Sequence, residues 1–310
     1  MRTSCLLPLL CLPLLSQQTT TTYTKDLNGN IVPGATYSTV RSGNTTTTTE
    51  TTEGVNGRRV PMQSVTERVL KDDSTGRVVE RIIRRFDANG HPAETEKQQI
   101  DEKKNADGSI SSTATTYRSD INGNYQLAER VVTDASKSGN TTNSTITVER
   151  PTVNGSLDVV ERKVRVDDVG KNASKSDETV YRRDQGGRFV EASRVVKDTT
   201  EQDGQQVVNT AQYEPTESGR MKIASQTVAR IRKNADGTES QEVDIYRNVP
   251  GRADTNATPA LRERQIIEQR KVGDRVIETT SVQRPTVSDP NHLGAPRQIS
   301  ERICVGPNCK

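Results

Sequence analysis

The chain predicts an all-β fold: a repetitive antiparallel β-meander of two-strand repeats about 32 residues long, laid out as a coiled single-layer sheet or partial shell. Three observations carry this expectation. Glycines recur at 29, 57, 90, 123, 155, 187, 219 and 251, in steps of 28, 33, 33, 32, 32, 32 and 32. A second series at 43, 76, 108, 139, 170, 204, 237 and 273 falls between them and divides the chain every 14 to 22 residues. The composition fits strands: valine (31 residues) dominates the apolar set and threonine is abundant, and both are β-branched and suit a pleated surface.

Taken in order, residues 1–16 read as a signal peptide, with Arg2 before the apolar run Leu6–Leu15 and small Ser16 at its end. That run is too short to span a bilayer, and no later segment is apolar enough for a transmembrane helix. Residues 17–53 are Thr-rich first hairpins. Their Gln17–Thr24 edge has almost no charge and no proline, so it is expected to remain open and to support self-association. Residues 54–284 form the hairpin array. Asn or Asp precedes many of its glycines, as in Asn89-Gly90, Asn122-Gly123, Asn154-Gly155 and Asp203-Gly204. Such pairs accept the positive φ angles of primed two-residue turns, and Gly29, Gly57, Gly90, Gly123, Gly155, Gly187, Gly219 and Gly251 are therefore assigned as structural turns.

Glu-Arg dipeptides lie mid-strand at Glu67-Arg68, Glu129-Arg130 and Glu161-Arg162. Neighbours on a strand point to opposite faces, so both faces carry charge. One apolar column is expected nine residues after the second-series glycines, at Tyr117, Val148, Tyr213, Tyr246 and Val282, with Tyr181 displaced by two. Its tyrosines, Tyr117, Tyr181, Tyr213 and Tyr246, form the candidate binding face. Residues 285–310 read as a C-terminal cap in which Cys304 and Cys309 close a disulfide loop, since an exported chain lives in an oxidising compartment.

The run Tyr181-Arg182-Arg183-Asp184-Gln185-Gly186-Gly187-Arg188, matched in part at Tyr117 and Tyr23, resembles the YD repeats of Rhs and teneurin-type proteins. The resemblance implies repeated hairpins in a spiralling β shell at a secreted or cell-surface location. It extends to the repeat logic but only to a handful of residues per unit.

Catalytic chemistry finds little footing. The two histidines, His91 and His292, are isolated in the sequence, and nucleophile-elbow and phosphate-loop patterns are absent. Asp120-x-Asn122-Gly123 resembles part of a calcium loop without its distal bidentate acid. No cofactor, metal or enzymatic activity is expected. A formal net charge of +3 gives nucleic acid no electrostatic hold. A porin-like barrel is disfavoured because the strands lack an apolar outer face. The expected function is a secreted, extracellular or periplasmic, non-enzymatic scaffold or adhesin. The alternative is a polysaccharide- or polymer-binding module. Its partners would be a polysaccharide or a cell-surface protein.

Overall fold

The computed structural model describes residues 16–25, 31–54, 57–120, 122–248, 259–273, 275–286, 289 and 292–305. Residues 1–15 of the segment 1–16 read as a signal peptide, and the residues Gly29, Gly251 and Cys309, lie outside this set. Eighteen strands follow one another: β1 Ser16–Lys25, β2 Ile31–Ser42, β3 Thr45–Glu53, β4 Arg59–Asp72, β5 Gly76–Phe86, β6 Pro92–Lys104, β7 Ile110–Ser119, β8 Tyr125–Ser138, β9 Thr141–Pro151, β10 Leu157–Val169, β11 Ala173–Arg183, β12 Phe189–Gln202, β13 Gln205–Pro215, β14 Met221–Lys233, β15 Glu239–Arg247, β16 Ala260–Val272, β17 Arg275–Gln283 and β18 Arg297–Val305. Each pairs antiparallel with its sequence neighbours. β1 also pairs with β18, from Thr19 opposite Val305 to Thr24 opposite Ser300. The meander is therefore a closed 18-stranded β-barrel.

Closure corrects the expected open or partial shell, and strand length explains it. From β4 to β16 the even strands have 13 or 14 residues, whereas the odd strands β3 to β17 have 9 to 11. One extra residue is absorbed by a β-bulge in every odd–even hairpin, as where Thr116 faces Glu129 but Tyr117 faces Leu127. The remainder staggers each hairpin against the last. Accumulated stagger is the shear that tilts strands and lets a sheet meet its own edge. β1 is thus paired on both sides from Thr19 to Thr24, which covers most of the Gln17–Thr24 edge expected to stay open.

The ladders also sort the side chains into two faces. Crossing from Thr113 to Val132, Thr147, Arg162, Tyr181 and Glu191 carries a line from mid-strand up to the rim, so the strands lean. The right-handed strand twist allows a closed barrel one sense of lean, and that sense turns the face of Tyr117 and Arg162 outward. Burial agrees, because side chains crowd on a concave surface. Val79 (2% exposed), Val148, Val180, Val276 and Val282 all belong to the inward face. At 16–18 strands side chains no longer fill a barrel, and an aqueous channel remains.

Turn geometry departs from the sequence expectation at one rim. Asp120 N–H donates to Asn124 O at 2.9 Å and Gly123 N–H to Asp120 O at 3.0 Å, which encloses three residues. Gly123 has φ +81°, and among the described non-glycine residues only Asp203 has a positive φ. Asn122-Gly123 thus belongs to a longer loop closed by a left-handed glycine, not to a primed two-residue turn. The carboxylate of Asp120 accounts for the difference. It accepts from the N–H groups of Asn122 and Asn124, both at 2.9 Å, which stabilises the longer loop.

Candidate functional site: lumen and wall

A hollow barrel offers two surfaces for chemistry, and both carry ion pairs. Inside, Glu67 accepts from Arg81 at 2.9 Å and Arg77 at 3.3 Å, and Glu161 meets Arg182 at 2.7 Å and Lys163 at 3.4 Å. Glu96, 6% exposed, pairs with Arg118 at 3.1 Å. These residues face one another because antiparallel ladders set Glu161 opposite Arg182 and Glu96 opposite Arg118. Desolvation raises the Glu161 carboxyl, but Arg182 and Lys163 outweigh it and hold the group below its ordinary value. The pairs alternate with valine and isoleucine along the lumen wall. The result is a polar inner face on which these acids meet bases in place.

Outside, Lys97 meets Glu80 at 2.8 Å, and Arg130 and Arg194 meet Glu149 and Asp177, each at 2.5 Å. Asp244, 1% exposed, is held between Arg264 at 2.6 Å and Arg230 at 2.9 Å, which come from the strands on either side. Desolvation pushes Asp244 up, yet the two guanidinium groups prevail and keep it ionised.

Tyr117, Tyr181, Tyr213 and Tyr246 are brought into one row. Each stands at the register shift of its hairpin, opposite Leu127, Glu191, Ile223 and Leu261, on the convex outer wall. Val148 and Val282, placed in the same column by spacing, belong to the inward face instead. They pair with Val131 and Gln265, which share the parity of Ala114 and Val243 rather than of the tyrosines. An offset counted from a glycine overlooks that one residue of strand reverses the face.

Gly57, Gly90, Gly123, Gly155, Gly187 and Gly219 all have φ between 69° and 83°. Cys304 is disulfide-bonded, and its sequence-assigned partner Cys309 lies outside the described residues. Cys304 also accepts a hydrogen bond from Gln18 Nε2 at 3.3 Å, beside a small recess of about 120 Å³ lined by Thr20, Glu278 and Arg302. Among the described residues no cluster of metal-ligating side chains occurs, and no helix is long and apolar enough to cross a membrane.

No family model matches the chain and no curated protein matches it. Among solved structures, CdiB from Acinetobacter baumannii aligns with 95% of this chain and 60% of its own length, at 11% identity and a TM-score of 0.41. The chain spans about 60% of that protein's chain, and a likeness this distant carries no assignment of function. Closure itself overturns the secreted scaffold or adhesin. That reading needed an open ribbon presenting a repetitive face and two edges, and neither is there. The polymer-binding alternative needed an extended platform, whereas the tyrosines curve around a closed wall.

Proposed function

We infer that the barrel is a water-filled conduit of the cell envelope for polar solutes. The observation that carries this is the β1–β18 pairing, which makes an 18-stranded wall around a lumen with matched charges. Closed sheets of 16 to 18 strands retain an aqueous channel. A lumen whose acids and bases are paired in place exerts little net field, so it suits neutral or mixed-charge hydrophilic molecules over a single ion sign. The wall's outer charges favour water over lipid along its height, since each Arg or Lys facing the bilayer midplane costs about 2–4 kcal/mol.

Size-graded thiol labelling tests the passage. Gln212 is exposed on the lumen face, and its neighbour Ala211 faces out. With the native disulfide intact, Gln212→Cys should react with small polar methanethiosulfonates and be protected from reagents coupled to large polymers. Ala211→Cys should react with both. Equal labelling of Gln212→Cys by the large reagent would mean an open sheet. No labelling of it by any reagent would mean a filled interior. Either result removes the conduit.

A further inference from the structure

The chain has seven tyrosines, two phenylalanines and no tryptophan, and their placement is uneven. Tyr23, Phe86, Tyr117, Tyr181, Tyr213 and Tyr246 all stand at the bulge of an odd–even hairpin, on the outer face. Tyr125 and Phe189 sit on the same face one step nearer the rim, opposite Ser119 and Arg183. Of the nine aromatic residues only Tyr37 lies elsewhere, inside, where its hydroxyl donates to Glu50 at 3.2 Å. Apolar partners complete the band: Phe86 faces Pro92, Tyr213 faces Ile223, and Pro215 faces Met221. Below the band the outer wall returns to ion pairs.

Cations stand in the aromatic row. Lys97 is the ladder partner of Tyr117, Arg162 of Tyr181 and Arg194 of Tyr213. The Arg162 guanidinium also lies over the Phe189 ring at 5.3 Å. Tyr125, the most open member, is 49% exposed.

We propose that this collar seats one rim of the barrel in the interfacial layer of a phospholipid bilayer, with the rest of the wall standing in water. Three features select a lipid surface. The rings of the collar stand on β1, β5, β7, β8, β11, β12, β13 and β15, spread over most of the circumference, and a planar medium touches a cylinder on many sides, whereas a docked protein would cover one. Two rows spaced two residues apart span about 7 Å of strand, within the roughly 5–10 Å to which interfacial elements are buried. Aromatic rings interleaved with Lys and Arg match the headgroup zone, where amphipathic rings sit and phosphates accept from cations. The inference concerns the outer face and is independent of what the lumen passes.

The absence of tryptophan makes a single-reporter experiment direct. Tyr213→Trp places the reporter in the collar, and Val164→Trp places it lower on the outer wall, where Val164 is 39% exposed. Each full-length mature variant, with its circular dichroism unchanged, is mixed with phosphatidylcholine–phosphatidylglycerol vesicles carrying brominated acyl chains. The expected result is a blue shift and quenching for Tyr213→Trp and a water-exposed spectrum for Val164→Trp. Removing two rings, Tyr117→Ser with Tyr181→Ser, should weaken vesicle binding about tenfold, and Tyr37→Ser should leave it unchanged. Quenching of both reporters would mean that the whole wall crosses the bilayer, and quenching of neither that the collar meets no lipid. Each of those results overturns the proposal. The thiol-labelling outcome in the lumen is unaffected by either, so the two readings fail separately.

Discussion

Single residues hold the rims together through hydrogen bonds to charge. Asp107 accepts from Ser109 Oγ at 2.7 Å, from Lys137 N–H at 2.6 Å and from Ser109 N–H at 2.9 Å. These donors, the Ser109 hydroxyl foremost, lower its pKa to about 2. A depressed folded pKa stabilises the fold above the ordinary carboxylate value, about 3.9, and that stabilisation is lost as pH falls through about 2. Asp107→Asn should therefore lower the melting temperature at pH 6, and the difference from the parent should close between about pH 4 and pH 2. A difference that persists at the acid end would assign the effect to something other than the charge. Glycines at the rims differ in kind. At Gly123 an added Cβ meets nothing within 4 Å, but φ is +81°, so Gly123→Ala should cost about 1–2 kcal/mol in backbone strain alone. At Gly76 a Cβ would lie 2.0 Å from the Glu102 carbonyl oxygen. Gly76→Ala should be the more damaging of the two in urea unfolding, because backbone cannot yield as a side chain can.

Among the elements, the strands are joined by cross-strand pairs and not by a thick core. Val79 is the most enclosed valine at 2% exposure, and its ladder partners are Val69 and Ile100. Elsewhere ion pairs take that place, and the most buried acid among the described residues, Asp244, joins β14, β15 and β16. Removing one partner of a buried charge cluster strands the others, and full burial would cost about 3–5 kcal/mol. Arg230 and Arg264 retain about a third of their exposure, so Asp244→Ala should cost less, about 2 kcal/mol in chemical denaturation. Local unfolding should then centre on those three strands, read as faster amide exchange there than in β7–β9. The alternation of shorter odd with longer even strands shows only in part in the glycine spacing. Gly90 to Gly108 is 18 residues and Gly108 to Gly123 is 15, but Gly155 to Gly170 is 15 and Gly170 to Gly187 is 17. The stagger is read from the ladders, and its consequence appears only when nine hairpins are added.

For the whole molecule, closure rests on the β1–β18 ladder, whose six register pairs run from Thr19 to Thr24. Removing Arg297 onward should leave β1 and β17 with unpaired backbone groups, which template association. Analytical ultracentrifugation should show a concentration-dependent oligomer for the truncated chain and a monomer for the untruncated one. A truncated chain that remains monomeric would show that the sheet can end without closing.

The sequence by itself determined the strands, their order and their antiparallel pairing. Turn glycines, β-branched residues and the near-constant period are local signals, and neighbours in a meander meet without any long-range choice. It also carried the charge on both faces, since Glu67-Arg68 must split whichever way the strand turns. Only the tertiary structure decided that Thr20 would pair with Cys304, 284 positions away in the chain. That contact depends on the sum of many small staggers, and no single repeat encodes a sum. Closure in turn decided which face became a lumen and gathered Tyr117, Tyr181, Tyr213 and Tyr246 into a row on the other. Face is set by register parity around the full circumference, and a bulge of one residue is enough to change it.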